Sequence, residues 1–135
     1  MNLTRKIRVE AIDPVTIYLM LMAGQALCFS LFFTVNLVYQ VTLIGLSPMQ
    51  LMLVGTVLEV TCFLFETPTG IVADLYSRRR SVLIGIALIG GSYVLGGAVP
   101  AFWSAMLGQF FWGLGYTFTS GATEAWLVDE IGEGA

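Results

Sequence analysis

Histidine is absent from this 135-residue chain and cysteine occurs only twice, so neither a zinc site nor a disulfide framework is indicated. Cys28 and Cys62 each sit inside an apolar run, where they read as small buried thiols. Charge is scarce as well. Asp, Glu, Lys and Arg make up 11% of the residues, against roughly 25% in soluble domains. So few charges cannot cover a water-soluble surface. With no nucleophile-base set and no clustered ligands, an enzyme has no support and no cofactor or metal is expected. The net charge of −3 carries no information about partners, and nucleic acid is not expected among them.

What is present is apolar, at 57% of the chain. The charges are concentrated at 5–13, 74–80 and 124–133, and the stretches between are almost free of them. A hydrocarbon core of about 30 Å needs about 20 helical residues, and four stretches approach that length: 15–38, 48–72, 81–99 and 102–122. All are expected to be helices, because backbone groups in lipid find no water to bond. The punctuation agrees. Asp13-Pro14 and Ser47-Pro48 each set a capping side chain before a proline, and Gln50 follows Ser47 at capping-box spacing. Arg5, Lys6 and Arg8 precede the first run as in a signal peptide. That run is too long for one, however, and no small-x-small cleavage site follows it. Leu27 before Cys28 also argues against a lipoprotein signal. The first segment is therefore expected to stay in the mature protein.

All six basic residues lie in the N-terminal arm or at Arg78-Arg79-Arg80. By the positive-inside rule the N-terminus, a loop over 73–80 and a tail over 123–135 are expected on the cytoplasmic side of the cell membrane. Tyr39 and Trp103 would sit at the outer interface, and Tyr76 and Trp126 at the inner one.

Between the second and third spans runs Gly70-Ile71-Val72-Ala73-Asp74-Leu75-Tyr76-Ser77-Arg78-Arg79-Arg80. This resembles the loop signature of the major facilitator superfamily, G-x-L-A/G-D-R-x-G-R-R/K. Gly70, Ala73, Asp74, Arg78 and Arg79 match, Val72 is a conservative change, and Leu75 and Ser77 depart. On the fourth span, Gln109 and Gly113 stand where the family has an arginine followed by a glycine four residues on. The stretch from Gly121 to Glu130 is also similar to the inner end of that helix in many members. The resemblance implies twelve helices in two halves built from inverted three-helix repeats. This chain would then be an all-α membrane fragment, the first repeat plus helix four, with the C-terminal helices of the same transporter as its missing partner. It further implies that Arg78 pairs with Asp129 as a latch, with Glu124 or Glu130 as substitutes, and that Asp74 contacts the second half. A small-molecule substrate follows from the resemblance. Its coupling to protons is left open by Gln109 in the arginine position.

Polar residues in a membrane helix tend to face a bundle interior or a cavity. Gln25 and Asn36 lie within about 20° of one face of the first helix, with Phe29 and Phe32 between them. In the family the first and fourth helices line the central cavity, which makes these four candidates for a transport path. On the fourth helix Gln109, Trp112, Gly113, Tyr116 and Ser120 share a face. The second helix carries Gly55, Glu59, Cys62 and Glu66 along one side. A glutamate near midspan costs of order 3 kcal/mol, while each Leu, Val or Phe returns about 0.3–0.6. Glu59 is thus a candidate for proton coupling or cation binding, with a carboxyl bonded to an adjacent helix as the structural alternative. Glu66, near the inner interface, is expected to be a structural partner of the loop. The third helix, uncharged and rich in glycine, is expected to be peripheral and to carry no substrate chemistry.

The leading expectation is the N-terminal portion of a secondary transporter working by alternating access. A small four-helix exporter acting as a dimer is the second, although such proteins centre on a glutamate in the first helix and none is present there. A non-transporting membrane scaffold subunit is the third.

Overall fold

The computed structural model describes residues 13–134. Arg5, Lys6 and Arg8 lie outside the described residues, as does the side chain of Glu130. Four helices succeed one another: α1 (Pro14–Tyr39), extended by a π-helical turn at Gln40–Ile44, α2 (Pro48–Leu75), α3 (Arg78–Ala98) and α4 (Phe102–Gly134).

Local chemistry explains their ends. Pro14 and Pro48 open α1 and α2, where a missing N–H costs nothing. Ser47 and Gln50 close a capping box: the Gln50 amide donates to Ser47 Oγ at 3.3 Å and the Ser47 amide to Gln50 Oε1 at 2.9 Å. Asp13 departs from expectation. Its side chain makes no capping bond, and only its backbone carbonyl accepts, from Ile17 N–H at 3.1 Å. The π-helical turn ends at Gly45, whose φ of 71° lies in the left-handed region that glycine occupies without a Cβ penalty.

Two boundaries correct the sequence reading. The segment expected as a loop over 73–80 is helical through Leu75 and again from Arg78, leaving only Tyr76 and Ser77 between α2 and α3. The segment expected as a tail continues α4 to Gly134. In both places the polar residues mark where a helix leaves the apolar layer, and a helix end needs no change of backbone there. Pro68 lies inside α2 without ending it. Thr69 next to it donates its hydroxyl back to the carbonyl of Phe65 at 2.7 Å.

Packing places α4 at the centre. Against α3 the pairing is antiparallel: Gly85 faces Gly115 and Thr119, Gly108 faces Ser92, and Ser104 Oγ donates to the Leu95 carbonyl at 2.8 Å. Against α2 it is parallel, with Val54 beside Ala105, Leu58 and Thr61 against Gly113, and Gly70 against Gly121. α1 meets α4 through aromatic rings, and none of its residues is fully buried. Small residues set these distances, since a Cβ on Gly85 would stand 2.6 Å from the Gly115 carbonyl oxygen. α3 keeps the lipid-facing side expected of it, with Leu83, Ile84 and Val94 exposed, while its other side is packed. It lies along α4, with Ser81, Gly85 and Ser92 buried between them.

Three helices, Pro14–Ile44, Pro48–Leu75 and Arg78–Ala98, are long and apolar enough to cross a membrane. Their outer faces expose Leu19, Leu31, Phe63, Leu83 and Val94, as lipid contact requires. The fourth is less apolar than the expectation of four alike. Ser104, Gln109 and Thr117 are buried on α4, because that helix meets protein on its packed faces instead of lipid. The thiols are corrected too: Cys28 is exposed on α1, and Cys62 is half-buried with its Sγ 3.9 Å from the Gly113 carbonyl.

Candidate functional site

The fold makes two sites from the sequence candidates, one inside the bundle and one at its charged end. Between α1, α3 and α4 lies a partly open cavity of about 200 Å³. Phe32 and Asn36 reach it from α1, and Gln109 and Trp112 from α4. On the α2 side a second cavity, of about 190 Å³, shares Asn36, Gln40 and Gln109 with the first. Three amide side chains thus stand as a partition between two apolar spaces. Gln40 and Gln109 are 6% and 8% exposed, and the Gln109 side-chain oxygen is buried with no hydrogen-bond partner among the described residues. An orphan buried acceptor is uncommon in native structures and calls for an explanation.

The walls are aromatic. Phe32 lies 4.1 Å from Tyr93 between ring centres, and Trp112 Nε1 donates to the Tyr93 hydroxyl at 3.1 Å. Trp112 is also stacked on Tyr116, 5.4 Å away at 6° between planes, and meets Phe29 edge-on at 5.0 Å. Phe29 and Tyr116 therefore form an aromatic layer next to the cavity. Gln25, half-buried one helical stretch earlier, does not line it.

Sequence reasoning missed Tyr93, Ser92, Gln40 and Gly108 as lining residues. For Tyr93 a signal existed: it is the single aromatic residue of α3, flanked by Gly90, Gly91, Gly96 and Gly97. For Gln40 the signal was its place four residues beyond Asn36, which puts both on one face of the helix, and the bond from its N–H to the Asn36 carbonyl preserves that spacing.

At the other end, Arg78 opens α3 and its guanidinium bonds the Asp129 carboxylate of α4. The same group donates to the Ala125 carbonyl at 3.1 Å and lies 4.0 Å from Asp74 at the end of α2. One arginine thereby joins three helices. A cation at a helix N-terminus is opposed by the helix dipole, and the two carboxylates offset this. Glu124 and Arg79 are exposed and stand outside this network. Gly70 stands outside it too, at the α2–α4 contact, where a Cβ on Gly121 would lie 3.8 Å from the Gly70 α-carbon.

Glu59 and Glu66 both stand exposed on α2, outside both cavities. Among the described residues neither carboxylate has a hydrogen-bond or salt-bridge partner, so the loop contact expected of Glu66 and the helix contact offered for Glu59 are not formed within this bundle. The two carboxylates lie to one side of the α2 face that α4 takes through Val54, Thr61 and Thr69, with Cys62 of the same seam at its edge, 3.9 Å from the Gly113 carbonyl. Among the described residues no group of side chains could hold a metal ion.

No family model matches the chain, and no solved structure does. It is similar to a protein of Buchnera aphidicola subsp. Acyrthosiphon pisum (strain APS) described as an uncharacterized transporter, with 30% identity over 70 residues. That alignment covers 52% of this chain and 17% of the relative, so the chain spans only a small part of the relative's length. With its apolar helices, the chain is a membrane protein with a transporter-like segment.

Proposed function

We propose that this chain is the opening part of a secondary active transporter of the major facilitator type, moving a small solute by alternating access. The observation that carries the reading is the cavity: Phe32 and Asn36 from α1 meet Gln109 and Trp112 from α4 around one space. An aromatic wall with a few convergent polar groups is the usual make-up of a small-molecule site. Arg78 supports it from the other end, since a partly exposed ion pair joining three helices can bias two arrangements without locking one.

The seam of Glu59 and Glu66 supports further protein beside this bundle. A carboxylate near midspan in lipid, as Glu59 would be, costs of order 3 kcal/mol, and a facing helix or a water-filled path removes that cost. In this proposal the facing surface is the second half of the same transporter, and the missing helices complete the path at the cell membrane.

The chain alone is expected to insert into vesicles and to give no saturable solute uptake, because its path lacks the facing wall. The gene product including any in-frame continuation beyond Ala135 is expected to give it. Robust flux from the chain alone would favour the dimeric four-helix exporter. An absence of flux from the continued product would favour a scaffold subunit.

A further inference from the structure

We infer that the cavity between α1, α3 and α4 takes a small uncharged ring compound bearing a hydroxyl or N–H group, whose polar group bonds the side chain of Gln109. The assignment rests on the transport reading for its meaning in the cell, and it names the class of solute carried.

Size comes first. A dry cavity of about 150 Å³ in another protein holds benzene, so about 200 Å³ suits a single substituted ring. Shape and chemistry are set by the walls, where Phe32, Tyr93 and Trp112 present aromatic faces and edges that favour another ring at close approach. Charge is excluded by the lining. No Asp, Glu, Lys or Arg borders the space, and an unpaired ion buried there would lose its hydration without return.

The polar group is specified by what remains unbonded. Ser92 spends its hydroxyl on the Ile89 carbonyl at 2.6 Å, Tyr39 on the Gly96 carbonyl at 3.1 Å, and Trp112 its N–H on Tyr93. The amides of Asn36, Gln40 and Gln109 border the space without a side-chain hydrogen bond among the described residues, and of the three it is the Gln109 oxygen that is fully buried without a partner. A hydroxyl both donates and accepts, so it meets either end of the amide. A lone water could also bond there, but it needs typically two to four polar partners and would leave the aromatic part of the space unfilled.

The test uses the chain in lipid nanodiscs with Trp103→Phe and Trp126→Phe, so that Trp112 is the one tryptophan left of three. It is titrated with phenol, with toluene as the ring without a polar group, and with benzoate as the charged ring. Phenol is expected to change Trp112 emission saturably and to bind about tenfold more tightly than toluene, the scale of one buried neutral hydrogen bond. Benzoate is expected to give no saturable change. Gln109→Met, close to isosteric, is expected to bring phenol down to the toluene level. Equal binding of phenol and toluene, saturable benzoate binding, a linear response to phenol, or a phenol preference that survives Gln109→Met would each overturn the assignment. The comparison of solutes on the unsubstituted site decides the matter even where Gln109→Met does not insert. Binding is read apart from flux. Loss of saturable phenol binding sinks this inference and leaves transport standing, whereas binding without phenol-sensitive flux in the continued gene product sinks the transport reading.

Discussion

Arg78 has two carboxylates within reach, and the difference between them is geometric. Asp129 accepts directly from its guanidinium, while Asp74 lies at 4.0 Å on the preceding helix. The arginine side chain is 33% exposed and that of Asp129 57%, so solvent screens the pair and it is worth about 1 kcal/mol. Such a value suits a contact that is broken and remade. In the continued gene product, Arg78→Ala and Asp129→Ala are each expected to lower turnover several-fold while leaving the amount of protein in the membrane near normal. The double variant should be no worse than either single one, as for two residues whose effect passes through one bond. Strictly additive losses in a flux assay would show that they act apart. Glu124→Ala is expected to change little, since Glu124 stands exposed outside this contact.

Between helices, the α3–α4 crossing depends on glycine at particular positions. A Cβ on Gly85 would stand 2.6 Å from both the Gly115 carbonyl oxygen and Thr119 Cγ2, and one on Gly115 would stand 2.6 Å from the Gly85 carbonyl oxygen. Two of these contacts are to backbone and cannot yield by rotating a side chain. Gly85→Ala is therefore expected to destabilise the bundle by about 1–3 kcal/mol, the usual cost of overpacking. Gly90 belongs to the same helix and has nothing within 4 Å of such a Cβ. There, alanine removes the helix penalty of glycine and should be neutral or stabilising by up to about 1 kcal/mol. Unfolding midpoints in mixed micelles containing SDS compare the two. A Gly85→Ala variant as stable as Gly90→Ala would show that the helices do not cross there.

For the whole molecule, orientation is set by charge. Asp74, Arg78 to Arg80 and Asp129 mark one end of the bundle, while the connections over 40–47 and 99–101 carry no charge at the other. By the positive-inside rule the basic end is expected on the cytoplasmic side. With Cys28 and Cys62 replaced by alanine, single cysteines at 43 or 101 are expected to react with an impermeant maleimide from outside. A cysteine at 77 should react only after permeabilisation. Labelling at 77 but not at 43 in intact cells would invert this orientation.

The elements were legible because their causes are local. Apolar length, Pro14, Pro48 and the Ser47–Gln50 box act within a few residues, so the starts of α1 and α2 could be read directly. The ends of α2 and α4 were read too short, because polarity marks the boundary of the apolar layer and a helix can continue past it. The sequence by itself determined an all-helical membrane chain, a charged end, and the aromatic and amide faces of α1 and α4. Only the tertiary structure decided that α4 is central, that α3 supplies Tyr93 to the cavity, and that Glu59 and Glu66 find no partner among the described residues. Helical spacing determines which residues share a face. Which neighbour covers that face depends on how closely backbones approach, and at α3–α4 that distance is set by Gly85 and Gly115 meeting from positions 30 residues apart.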